Sequence, residues 1–139
     1  MRRVVCDVGV IVSGLLSATG PPGRIVDRWR DGEFDLIVSP LWLDELARVL
    51  ERPKLARYLD SGEASELLAA IRLQADLLGD PPAEPGLTPD PGDDYLVSLA
   101  RAATADFLVS GDKHLTTLAD PRPPVLTPRE FEDLLADSR

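Results

Sequence analysis

Acidic side chains that follow hydrophobic runs are the residues of this chain best placed for chemistry. Asp7 closes the run Arg3-Val4-Val5-Cys6, and a second apolar run, Val10-Ile11-Val12, comes soon after it. Asp112 stands just past Phe107-Leu108-Val109-Ser110. A buried carboxylate is costly unless something compensates it. In a parallel sheet, however, ligands bind beyond the carboxyl ends of the strands, which suits an acid placed there. Glu45 shares a helical face with Trp42, Leu46 and Val49. It either snorkels outward to pair with Arg48 or Arg52 or turns toward the same edge. Asp93 and Asp94 open a further helix, where the dipole and capping favour acids for structural reasons too. Against the stripe Leu96, Leu99, Ala100, Ala103, Asp93 lies nearer the core face and Asp94 points toward Val97 and Arg101. Both remain candidates.

Convergence of these acids carries an electrostatic cost. Two carboxylates about 4 Å apart repel by roughly 4 kcal/mol at an effective dielectric of 20. A set of four requires shared protons or a divalent cation. Oxygen-only donors point to Mg²⁺ or Mn²⁺, with Asp7, Asp93, Asp94 and Asp112 as candidate ligands. Zinc is disfavoured, because Cys6 is the single cysteine and His114 the single histidine. Ser110 and Ser13 are hydroxyl donors near the two strand ends, suited to orienting a water or a carboxylate, or to ordinary turn hydrogen bonds.

The elements that must position these residues alternate. Strands are expected over 3–8, 34–38, 106–110 and 125–126. Helices are expected over 10–17, 24–31, 40–50, 61–76, 93–104 and 114–118, and from 128 onward, with a short helix or turn at 54–59. Ser39-Pro40 and Thr127-Pro128-Arg129-Glu130 are strong helix starts, and Asp31-Gly32 is a natural stop. Residues 75–79 read either as the end of a helix or as a short strand. Five prolines between Pro81 and Pro91 mark a surface loop rather than a linker. Such alternation predicts an α/β sandwich on a parallel sheet.

A length of 139 residues predicts one domain. The net charge of -9, from 15 basic and 24 acidic residues, excludes a generally basic nucleic-acid binder. Contact with a polyanion would need bound cations or a local patch. Arg24, Arg28, Arg52, Lys54, Arg57 and Lys113 are candidates for such a path. A lone cysteine inside a strand predicts a reduced, cytoplasmic protein. Asp7 interrupts the only stretch that mimics a leader, and no run is long enough for a membrane span.

Several ordered blocks together resemble the PIN domain family, specifically its toxin–antitoxin branch, the relatives of the VapC toxins. They are Val4-Val5-Cys6-Asp7 with the apolar stretch to Leu16, Gly20-Pro21-Pro22, Ser39-Pro40 with Glu45-Leu46 and Val49-Leu50, Asp90-Pro91-Gly92-Asp93-Asp94, Ala105 to Lys113, and Thr127 to Phe131. The resemblance spans almost the whole chain, 1–139. It implies a three-layer α/β/α sandwich with a mainly parallel sheet of four or five strands. It also implies a Mg²⁺- or Mn²⁺-dependent ribonuclease in which metal-activated water attacks an RNA phosphodiester. The four acidic positions match Asp7, Glu45, Asp93 or Asp94, and Asp112, and the hydroxyl before the last acid matches Ser110. An RNA substrate, a small antitoxin partner and a homodimer are further implications. One departure is Gly9, where the family usually carries Asn. Two rivals remain: a phosphomonoesterase, which would want Asp rather than Gly9 two residues after Asp7, and a catalytically weakened PIN-like module that only binds a partner.

Overall fold

The computed structural model describes residues 1–82 and 84–137. Five strands form one parallel sheet in the order β3-β2-β1-β4-β5. They are β1 (Arg3–Cys6), β2 (Asp35–Val38), β3 (Asp76–Leu77), β4 (Phe107–Val109) and β5 (Val125–Leu126). The helices are α1 (Val8–Leu16), α2 (Pro21–Arg30), α3 (Pro40–Leu50), α4 (Pro53–Ala56), α5 (Ser61–Gln74), α6 (Asp94–Ala102), α7 (Lys113–Thr116) and α8 (Pro128–Asp137), and a 3₁₀ turn covers Pro91–Asp93. The result is the expected α/β sandwich. The short strand that the sequence leaves open near residue 76 is present and forms one edge of the sheet.

The strand order places the site. From β1 the chain steps outward to β2 and β3. It then crosses back to β4 on the other side of β1 and continues outward to β5. The order therefore reverses between β1 and β4, and a crevice opens at the carboxyl ends of strands at such a point. The register Cys6↔Val109 brings Asp7 and the segment Ser110–Asp112 to that crevice.

Val4, Val5 and Cys6 are fully buried, as are Ile37, Leu108 and Val109. This continuous burial explains why the first strand carries no polar alternation. Burial, and secondarily the charge of Asp7, pushes the Cys6 thiol up to about 12. The native protein should therefore resist thiol alkylation at pH 8 and take up one equivalent of reagent only in denaturant. Rapid labelling of the native protein would contradict this packing.

Local boundaries differ from expectation where side chains cap. β1 ends at Cys6 rather than at residue 8, because Asp7 caps α1 and its carboxylate accepts the Gly9 amide. α2 begins at Pro21, not at residue 24. Its close approach to the turn that follows α1 needs Gly23, where a Cβ would lie 2.5 Å from the carbonyl oxygens of Ser17 and Ala18. The Thr127–Glu130 start of α8 is a reciprocal capping box: the Glu130 amide donates to Thr127 Oγ1 at 3.1 Å and the Thr127 amide to Glu130 Oε1 at 2.9 Å.

Candidate active site

Asp7 is held from both sides of the β1–β4 crevice. Its amide donates to the Val109 carbonyl at 2.8 Å. Its Oδ1 accepts the Gly9 amide at 3.1 Å, and its Oδ2 accepts the Ser110 hydroxyl at 2.9 Å. Ser110 is fully buried and also accepts the Asp112 amide, at 3.0 Å. One hydroxyl thus ties the two strand-end acids into a fixed relation. Asp112 caps α7 through the His114 amide, at 2.8 Å, while His114 itself is exposed. Asp7 and Asp112 line a cleft of about 290 Å³ with Gly9, Val10, Ser13, Pro22, Gly111 and Pro128. A Cβ at Gly9 would stand 3.8 Å from Asp7 Oδ1. The position therefore has room for a side chain, and its absence widens the cleft beside Asp7.

The adjacent acids at the start of α6 take different roles. Asp94 is buried, and its two oxygens accept the Gly86 amide at 3.2 Å and the Thr88 amide at 2.8 Å. It anchors the proline-rich loop and is not free to face the crevice. Asp93 instead stands among the other acids. Burial, followed by the charges of Asp7, Asp90 and Asp112 and a hydrogen bond to Asp112, pushes its carboxyl up to about 7. Its Oδ2 is buried and has no hydrogen-bond partner. The helical phase of α6 points the same way.

Glu45 makes no ion pair with Arg48 or Arg52 among the described residues. It accepts a hydrogen bond from the Tyr95 hydroxyl. α3 is locked over β1 by Trp42, whose indole Nε1 donates to the Cys6 carbonyl at 2.7 Å. Burial and the Glu45 bond raise the proton affinity of Tyr95, and the charges of Asp7 and Asp93 add to it. Glu45 and Tyr95 therefore sit within electrostatic reach of the crevice. Sequence reasoning missed Tyr95. Its signal was its position directly after Asp93-Asp94, in the first turn of a helix whose start faces the other acids. Ser13 lines the cleft and is exposed.

Among the described residues, no three His, Cys, Asp or Glu side chains are grouped closely enough to enclose an ion. The donor chemistry nevertheless fits a hard divalent cation. All the candidate donors are carboxylate oxygens, and one of them, Asp93 Oδ2, is buried and unpartnered. Mg²⁺ usually keeps several waters and binds through only one or two carboxylates, so a closed protein cage is not required.

Comparison with known proteins agrees with this fold. The PIN domain family matches residues 3–114, and the chain belongs to that family. PIN domains are generally nucleases and typically use divalent metals. The uncharacterized protein MJ1680 of Methanocaldococcus jannaschii is 26% identical over 118 residues, covering 85% of this chain and 76% of that protein. The crystal structure of PAE2754 from Pyrobaculum aerophilum superposes with a TM-score of 0.65 at 18% identity, over 98% of this chain and 90% of that one. At that identity the likeness speaks to the fold alone. Among the described residues, no helix is long and apolar enough to cross a membrane.

Proposed function

We propose that the chain is a single PIN-like domain acting as a Mg²⁺- or Mn²⁺-dependent endoribonuclease, with Asp93 and one neighbouring carboxylate, Asp7 or Asp112, holding a largely hydrated cation. The observation that carries this reading is Asp93. Its carboxyl is crowded by Asp7 and Asp112 and keeps a buried oxygen without a partner, a state that a cation relieves and that serves no purpose for stability. A divalent ion held by these carboxylates would supply Lewis acidity toward a water and a phosphodiester oxygen. The chain's own residues prepare the site. Ser110 fixes Asp7 relative to Asp112, the Gly9 amide neutralises part of the Asp7 charge, and Tyr95 orients Glu45 toward the edge. The cleft, walled by Pro22 and Pro128, receives the RNA strand.

The ordered sequence blocks further support the role of toxin in a type II toxin–antitoxin pair: cytoplasmic, homodimeric, and silenced by a small antitoxin. Asp94 and Ser13 then serve the loop and the cleft wall rather than the ion. The test is cleavage of an RNA panel with Mg²⁺, Mn²⁺ or EDTA, by wild type and Asp7→Asn. Metal-dependent cleavage should fall by about 100-fold or more in the variant, as expected when an interaction worth several kcal/mol in the transition state is removed. Cleavage indifferent to both chelator and substitution would overturn the reading. Phosphate release from phosphomonoesters without RNA cleavage would favour a phosphatase. Growth arrest on induced expression, absent with Asp7→Asn, tests the toxin role.

A further inference from the structure

The chain is acidic overall, yet four of its 15 basic residues, Arg48, Arg52, Lys54 and Arg57, fall within ten positions that contain one acid, Glu51. All four are exposed. Among the described residues, no acid pairs with any of them. Arg48 makes a 3.4 Å bond to the carbonyl of Asp44 in its own helix. Tyr58 follows directly and is 75% exposed, an uncommon position for an aromatic ring with no packing role. The patch follows Glu45 along the chain. On α3, Arg48 lies one turn beyond Glu45, about 4.5 Å along the axis on the same side, and α4 carries the stripe onward.

We propose that the segment Arg48–Tyr58, from the end of α3 through α4, is a docking surface for single-stranded RNA, with Arg52, Lys54 and Arg57 on phosphates and Tyr58 stacked on a base. The proposal rests on the ribonuclease reading above and extends it to a second, non-catalytic contact. Charge selects a polyanion, and in a molecule of net charge -9 this stretch offers one a local basic surface. The bare aromatic among cations selects nucleic acid over an acidic protein, because a nucleobase offers a stacking face that a carboxylate does not.

The experiment measures anisotropy of a labelled 12-nucleotide RNA in EDTA across a salt series, and kcat and KM with Mg²⁺. It compares wild type with Arg52→Ala/Lys54→Ala/Arg57→Ala, with Lys54→Ala alone, with Tyr58→Ala and with Tyr58→Phe. The triple variant should raise Kd and KM about tenfold or more and leave kcat within about twofold. It should also flatten the log K against log salt slope by about 2, at about 0.7 per lost phosphate contact. Lys54→Ala alone should flatten the slope by about 0.7. Tyr58→Ala should weaken binding about fivefold or more, and Tyr58→Phe should match wild type. These side chains are exposed, so melting temperatures should not move, and Lys54→Ala and Tyr58→Ala still decide the matter if the triple variant misfolds. Wild type that cleaves RNA while these variants match it in Kd, KM and salt slope overturns the docking surface and spares the nuclease. The same result overturns the docking surface even if the segment binds an acidic protein. Wild type that neither binds nor cleaves RNA overturns both.

Discussion

Asp93→Asn should stabilise the protein in EDTA and, if the proposed nuclease site is right, sharply reduce metal-dependent RNA cleavage. The carboxyl of Asp93 is raised from 3.8 to about 7 in the fold, so the folded state holds its proton more tightly than the unfolded chain does. The sign follows from linkage. Below about pH 3.8 both states are protonated and Asp93 costs nothing. As pH rises toward 7 the unfolded chain ionises freely and the folded one resists, so this contribution destabilises increasingly and is complete above about 7. A fully buried group shifted this far would cost about 4 kcal/mol. Asp93 is only partly buried, and solvent screening leaves about 1–2 kcal/mol. In EDTA at pH 8 the Asn variant should melt several degrees higher than wild type, and at pH 4 the two should coincide. Mg²⁺ or Mn²⁺ should raise the melting temperature of wild type and move that of the variant much less. Cleavage by the variant should fall by on the order of 100-fold or more. A variant that is less stable in EDTA and still active would show that Asp93 belongs to the scaffold and not to the site.

Arg28→Ala should be the most destabilising charge removal in the molecule. Arg28 donates from Nε and Nη2 to the two oxygens of Glu132, at 2.6 and 2.9 Å, and from Nη1 to Glu33 at 3.0 Å. The Arg28 side chain is 13% exposed and that of Glu132 only 9%. The pair joins α2 to α8, whose first turns place Pro22 and Pro128 in the cleft wall. Truncation leaves a buried carboxylate without its cation, which costs about 3–5 kcal/mol and should lower the melting temperature by roughly 10 °C or more. Arg28→Met with Glu132→Leu should recover most of the loss, because the buried Glu132 charge is then removed together with its partner. A single variant as stable as wild type would show that the pair is solvated in solution. The same geometry removes Arg28 from the candidate RNA path, since its donors are already engaged by carboxylates.

Much of the architecture was legible from local pattern. Val4-Val5-Cys6 and Phe107-Leu108-Val109 read as buried strands because each is continuously apolar, and the caps at Ser39, Asp60 and Thr127 are local chemistry that a sequence displays directly. Asp7 and Asp112 were visible for the same reason, as acids placed where an apolar run stops. Glu45 was ambiguous, because helical spacing locates a face but not the partner that faces it. Tyr95, 50 residues away in sequence, is that partner.

By itself the sequence determined the alternation of elements, the strand ends that carry acids, and a set of oxygen donors suited to a hard cation. These are properties of nearest neighbours along the chain. Tertiary structure decided everything that depends on distant segments meeting. The pairing of β1 with β4 set Asp7 beside Ser110 and Asp112. The loop amides of Gly86 and Thr88 claimed Asp94 and left Asp93 among the acids. The docking of α8 on α2 turned Arg28 from a surface cation into a structural one. The physical reason is common to all three. A carboxylate or guanidinium takes its role from the groups that desolvate it and bond to it, and those groups are chosen by the fold.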